Sequence, residues 1–185
     1  MSWNVVHLRD AAPMPWRNGG GVTRELLAWP DAAQWSVRLS VADVASDGPF
    51  SRFDGVQRWF AVLSGAGVRL DVAGASHALT ADDAPFQFDG ALPVGCTLLG
   101  GPTVDFNLMT RGHAARMARV RGAHACTVRA GQLLAAWNNG AQAAMIGQGG
   151  DALELAPMSL AWRIAAVAGQ ARFACGDGLW MEVGP

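Results

Sequence analysis

The sequence contains no lysine and no tyrosine, so its 14 basic residues are all arginine. Without lysine there is no Schiff base and no phosphate-loop ammonium; without tyrosine there is no phenolic general acid. Cysteine is scarce. Cys96, Cys126 and Cys175 are odd in number and far apart, which gives neither a Cys-x-x-Cys zinc pattern nor a disulfide framework. They read as free, mostly buried thiols of a reducing compartment. His7, His77, His113 and His124 are equally scattered, with no His-x-His or His-x-x-x-His pair. Charged residues make up only 16% of the chain against 51% apolar, which excludes intrinsic disorder. A net charge of -1 gives no long-range attraction for nucleic acid or an anionic membrane, and neither is expected as a partner. No apolar run reaches the length of a membrane span, and Met1-Ser2-Trp3-Asn4 lacks the basic, apolar character of a leader. The expectation is a cytoplasmic globular protein that handles its partners with arginine, tryptophan, amides and backbone.

What is present is period-two alternation. A chain of 185 residues fits one large domain or two small, closely packed ones, and can bury roughly 70% of its unfolded surface. Trp35 to Val41 alternates without a break, placing Trp35, Val37, Leu39 and Val41 on one face and Ser36, Arg38 and Ser40 on the other. Val68 to Val72 and Val104 to Leu108 do the same, and the continuous run Trp59 to Leu63 reads as a strand buried on both faces. Turn signals such as Asp47-Gly48-Pro49, Asp54-Gly55 and Asn139-Gly140 separate these runs. Short strands with closely spaced turns predict an all-β barrel or sandwich. The stretch Ala114 to Val120 fits neither period and reads as the crossover between two halves. His77-Ala78-Leu79-Thr80 ahead of Pro85 and Leu153-Glu154-Leu155-Ala156-Pro157 form a weak internal echo, each a strand running into a proline turn.

Three segments go beyond generic β-structure: Pro15 to Leu26 with its Trp16-Arg17-Asn18-Gly19-Gly20-Gly21 core, Asp47 to Arg58, and Gly101 to Met109. Together with Trp35 to Ala42 they resemble the HutD/Ves family, closely over the first 110 residues and by length and strand rhythm beyond. The resemblance implies a bicupin: two jelly-roll-like β-barrels packed in one chain, residues 1–110 carrying the ligand pocket and 111–185 a structural or dimerising half. It also implies association with histidine utilisation, as small-molecule-binding regulators rather than proven enzymes. Metal-binding cupins carry a His-x-His, then a Glu seven positions before a Gly, then a third His after a Pro. With Gly65 as that Gly, the Glu position is Arg58; Arg52-Phe53-Asp54 stands where the two histidines belong, and Pro85-Phe86-Gln87-Phe88-Asp89 where the third does. A guanidinium repels a divalent ion, so this comparison predicts an anion site, with no metal and no cofactor.

Arg58 is the first candidate, because a guanidinium beside a buried run must find an anion or several acceptors. A bidentate ligand carboxylate would satisfy it, and so would a structural pair with Asp54 or Asp105. Arg38 and Ser40 share one strand face, and Asp105 and Asn107 another; each face is either solvated or part of one polar cavity. Trp16 and Asn18 open a glycine turn whose amides could form an anion nest, or which is simply a hairpin entry lidded by Trp16. Phe50 and Phe53 read as a pocket wall or as core fill. In the second half, Trp137-Asn138-Asn139-Gly140 reads as a hairpin turn.

The leading function is a metal-free binding protein for a small carboxylate metabolite, with a regulatory role in histidine utilisation implied by the resemblance. Urocanate and N-formylated or formiminated glutamate are the ligands it suggests, and a homodimer is one form the second half could support. The competing reading is a metal-free isomerase or hydrolase with Asp105 or Glu25 as base and Arg58 as electrophile. No nucleophile elbow or paired-carboxylate motif favours it, so a binding protein is preferred to an enzyme. A protein-interaction scaffold without a ligand cavity is the third class.

Overall fold

The computed structural model describes residues 2–185 and is almost entirely β-structure, with one 3-10 turn at Leu8–Asp10. No helix among the described residues is long and apolar enough to cross a membrane. The chain divides into two compact units, Ala11–Gly112 and the residues up to Asp10 together with His113–Pro185. Strand β1 (Asn4–His7) pairs antiparallel with a strand near the other end of the chain, Ser159–Ile164. The first ten residues, expected with the first barrel, thus complete the sheet of the second unit.

The Ala11–Gly112 unit is built from β2 (Pro13–Pro15), β3 (Gly21–Trp29), β4 (Val37–Val44), β5 (Gly48–Pro49), β6 (Gln57–Ser64), β7 (Val68–Val72), β8 (Ala75–Leu79), β9 (Phe86–Asp89), β10 (Val94–Leu98) and β11 (Thr103–Thr110). A six-stranded sheet runs β2-β3-β4-β11-β6-β9, and a four-stranded sheet runs β5-β10-β7-β8. Phe60, Val62 and Phe88 of the first sheet and Val68, Leu70, Val72, Leu79, Val94 and Cys96 of the second form one buried cluster, so the two sheets face each other across a common core. In β7 the alternation is as the sequence predicts, with Val68, Leu70 and Val72 inside and Arg69 and Asp71 exposed.

Register decides which side chains enter that core. Asn107 lies opposite Phe60 and Ser40, Asp105 opposite Val62 and Ala42, and Met109 opposite Arg58 and Arg38. Directly paired residues project to the same side of a sheet. Arg38, Ser40, Arg58, Asp105 and Asn107 therefore share the face that carries Phe60 and Val62 into the core. The opposite face holds Val37, Leu39, Val41, Phe106 and Leu108, all buried as well. Alternation separated the two faces correctly; the polar one is turned inward.

The second unit contains β12 (Ala115–Val128), β13 (Leu133–Asn138), β14 (Ala144–Gln148), β15 (Leu153–Leu155), β16 (Ser159–Ile164) and β17 (Gly169–Val183). Its sheet runs β1-β16-β13-β17-β14-β15, with β12 also on β17. The long strand β17 pairs with β13 over Gly178–Val183 and with β14 over Ala171–Ala174, so one sheet curls around a core of residues such as Leu134, Ile146, Phe173 and Trp180. The Ala114 to Val120 stretch is not a crossover but the start of β12. Its alternation is blurred because Arg119 shares the face of Met117, and just beyond it the register shifts between Val120 and Gly122, a bulge that Gly122 accommodates at φ +100°. Likewise Trp137 and Asn138 lie in β13, and the chain bends only after them. The two echo segments are both edge strands, β8 and β15.

Gly21 marks a close approach. A Cβ there would lie 2.5 Å from the Asp43 carbonyl oxygen and 3.1 Å from the Trp16 ring. Gly21→Ala should therefore lose about 1–3 kcal/mol of stability, read as a lower urea midpoint, whereas an unchanged midpoint would mean the ring and strand have slack.

Candidate functional site

Arg58 enters the core from β6 and is only 6% exposed. Its Nη2 donates to Asn107 Oδ1 at 2.8 Å, its Nη1 to the Ser51 carbonyl at 3.4 Å, and its Nε is buried without an acceptor. Three rings surround the guanidinium: Phe88 at 5.0 Å, Phe50 at 5.2 Å and Phe53 at 5.9 Å from the guanidinium carbon to the ring centroid. Cation–π contacts of this kind contribute about 0.5–2 kcal/mol each but accept no hydrogen bond. Neither Asp54 nor Asp105 pairs with it among the described residues. Burial, and then the neighbouring Arg38, push the Arg58 pKa down to about 10, which leaves it charged at neutral pH.

Arg38 is differently placed. Its Nε donates to Glu25 Oε2 at 2.6 Å, so its charge is balanced within the site. Glu25 is thereby committed to an ion pair rather than held free as a base. Ser40 is buried on the same face, opposite both Asn107 and Glu25.

Asp105 is fully buried. It accepts a hydrogen bond from Thr103 Oγ1 at 2.9 Å on Oδ2, while Oδ1 has no partner. Desolvation raises its pKa to about 7; the Thr103 hydrogen bond opposes this and Asp43 adds to it. Burial, with help from Asp105 and Asp47, pushes the nearby Cys96 thiol up to about 12, so it is no nucleophile.

The glycine turn is packed rather than open. Gly19 N–H donates to the Trp16 carbonyl and Gly20 N–H to Asn18 Oδ1, both at 3.0 Å, so these two amides are already spent and do not present a nest to an anion. Trp16 Nε1 donates to Thr23 Oγ1 at 2.8 Å, and its ring meets Phe50 edge-on at 6.4 Å. Trp16 thus touches the aromatic cage of Arg58 through Phe50, whereas Asn18 buttresses the turn. A cavity of about 410 Å³ lined by Pro49, Phe50, Arg52, Asp71 and Val94 also meets the cage at Phe50. A larger one, about 730 Å³, lies in the second unit.

Sequence reasoning missed Phe88 and Thr103. Phe88 pairs directly with Arg58 across β6 and β9, in the segment where a metal-binding cupin would place its third histidine. A phenyl ring there, facing a guanidinium, offers no donor to a divalent ion.

The HutD family model matches residues 8–164. The chain belongs to the HutD family. An uncharacterised 21.2 kDa protein in the hutC 3' region of Pseudomonas putida is 44% identical over 110 residues, 57% of this chain and 56% of its own length. Protein Ves of Cronobacter sakazakii is 40% identical over 116 residues, covering 60% of this chain and 64% of that protein. The match thus spans somewhat over half the length of these curated relatives. Among solved structures, a conserved protein of unknown function from Pseudomonas aeruginosa PAO1 has a TM-score of 0.84 at 33% identity over 99% of this chain and 98% of that one. HutD from Pseudomonas fluorescens SBW25 (formate condition) has a TM-score of 0.84 at 29% identity, with 98% of each chain covered. The salicylate 1,2-dioxygenase of Pseudoaminobacter salicylatoxidans, at TM-score 0.68 and 10% identity over 98% of this chain and 82% of that one, shares the fold alone. This chain is thus all-β, with the bicupin fold of jelly-roll-like barrels.

The buried Asp105 carboxyl makes stability depend on pH in a defined direction. The native state holds this proton to about pH 7, and the unfolded chain releases it near 3.8. Between those values the native state binds more protons, so stability falls as pH rises, by up to about 1.4 kcal/mol per pH unit from this group. Asp105→Asn should flatten that slope and exceed the wild type in stability at pH 8, as read from urea midpoints across the range. Parallel profiles for the two proteins would show that Asp105 ionises normally.

Proposed function

We propose that the Ala11–Gly112 barrel binds a small carboxylate metabolite, and that the protein acts as a metal-free, ligand-responsive regulator in histidine utilisation. The observation that carries this is Arg58: a charged guanidinium, sunk in the core, held by one side-chain amide and three phenyl rings, with no carboxylate of its own. A ligand carboxylate accepting from Nε and a terminal nitrogen would supply the missing counter-charge with bidentate geometry. Asn107 fixes the guanidinium, and Ser40 and Asp105 lie on the same face to orient the rest of the ligand. The cavity that meets the cage at Phe50 is the approach for an entering acid. The location of the Pseudomonas putida relative, in the hutC 3' region, supports a role in histidine utilisation. The acids of that breakdown, urocanate and N-formylated or formiminated glutamate, have the right chemistry.

A second reading, a metal-free isomerase or hydrolase, is favoured by one observation: Asp105, with its pKa near 7, shares the inner face with Arg58. Turnover of one of these acids by chelator-treated protein, lost in Asp105→Asn, would make that reading the correct one.

Calorimetry with urocanate, formylglutamate, formiminoglutamate and formate tests the binding claim. At least one acid should bind one per chain, and Arg58→Ala should weaken it by about 2–5 kcal/mol. Affinity should also fall as pH rises through about 7, because an ionised Asp105 repels a second carboxylate. Equal affinity for wild type and Arg58→Ala would remove Arg58 from the site.

A further inference from the structure

The second unit carries a separate cluster of metal-ligating chemistry. His124 and Cys126 are two residues apart on β12 and project to the same side of the strand. Glu182 comes from the far end of β17. It lies nine positions along β17 from Phe173, the partner of His124, which on a flat ladder would be roughly 30 Å. Instead the curled sheet brings an imidazole nitrogen, the Cys126 sulfur and a Glu182 carboxylate oxygen within 4.8 Å of one another.

We propose that His124, Cys126 and Glu182 bind one divalent transition ion, zinc by the donor set, with a further coordination position left for water or a ligand. One imidazole, one thiolate and one carboxylate are the borderline ligands that zinc accepts, and three protein donors leave a four-coordinate ion one open position. Tetrahedral donors at zinc bond lengths sit roughly 3.4–3.6 Å apart, so the donors would have to close by at most about 1.4 Å from the 4.8 Å within which they already lie.

Two further observations point the same way. His124 Nε2 is buried without any hydrogen-bond partner, a costly arrangement that coordination would relieve. Trp180, rooted in the core, donates its indole N–H to Glu182 Oε1 at 2.9 Å and packs its ring 5.6 Å from that of His124. It thereby orients the carboxylate, as outer-shell partners do in metal sites. His124 also lines the 730 Å³ cavity together with Ile146, Gln148, Asp151 and Arg172, which connects the cluster to a ligand-sized space. Without metal the Cys126 thiol is held protonated by burial and by Glu182. Metal binding therefore expels the thiol proton to solvent as the Zn–S bond forms.

Cobalt(II) titration of the chelator-treated full-length protein is the test. One Co²⁺ per chain is expected, with a thiolate-to-cobalt charge-transfer band in the near ultraviolet and the visible bands of a tetrahedral ion, both erased by added Zn²⁺. Cys126→Ser should lose the charge-transfer band, and Cys96→Ser and Cys175→Ser should keep it. His124→Ala and Glu182→Gln should weaken Co²⁺ binding by about ten-fold or more. Should the variants fail to fold, Zn²⁺ protection of Cys126 from alkylation in the wild type, read by peptide mass spectrometry, replaces them. No charge-transfer band, a band that survives Cys126→Ser, or an unprotected Cys126 overturns the proposal.

Discussion

The first barrel is organised around an unbalanced charge. A guanidinium in a low-dielectric interior is costly unless acceptors and a counter-charge surround it. Arg58 has the acceptors in part, from Asn107 and Ser51, and the electron-rich faces of Phe50, Phe53 and Phe88 in place of a carboxylate. The rest of the inner face follows from this. Arg38 is tolerable nearby because Glu25 neutralises it, and Asp105 bonds to Thr103 rather than to Arg58, with its pKa raised to about 7 by burial. Arg58 and Phe88, paired across β6 and β9, place a guanidinium against a phenyl ring, and neither offers a donor to a divalent ion.

Much of this was legible in the residues, and the failures have physical causes. Alternation placed Ser40 with Arg38 and Asn107 with Asp105, because a strand's period is two whatever surrounds it. It could not say which face is inside, since both faces of β4 and β11 are buried and a polar face inside a sandwich reads like a solvated one. β12 escaped recognition because Arg119 falls on the same face as the buried Met117, and the shift at Val120 to Gly122 then reverses the phase. The family comparison pointed to the segment containing Phe88, but only the β6–β9 register shows that it covers Arg58. The glycine turn of Gly19 to Gly21 read equally as an anion nest or as a hairpin entry lidded by Trp16, and the Trp16 ring and Asn18 amide packed against it fit the second.

His124-Ala125-Cys126 was overlooked for a simpler reason. Zinc signatures made of one residue type, His-x-His or Cys-x-x-Cys, do not include a mixed His-x-Cys pair. Its third member, Glu182, is 56 residues from Cys126 and reaches it only because β17 curls through half a barrel. The two units thus differ in chemistry on one fold type: one buries a guanidinium without a carboxylate partner, and the other gathers an imidazole, a thiol and a carboxylate.

The most direct test of the central claim is the Arg58 Nε–H resonance in ¹⁵N-resolved NMR, assigned by comparison with Arg58→Lys. In the free protein it should be a sheltered donor without an acceptor, and a bound small acid such as urocanate should move it strongly downfield as the carboxylate accepts its proton. A resonance that stays in place while the acid binds elsewhere would contradict the account.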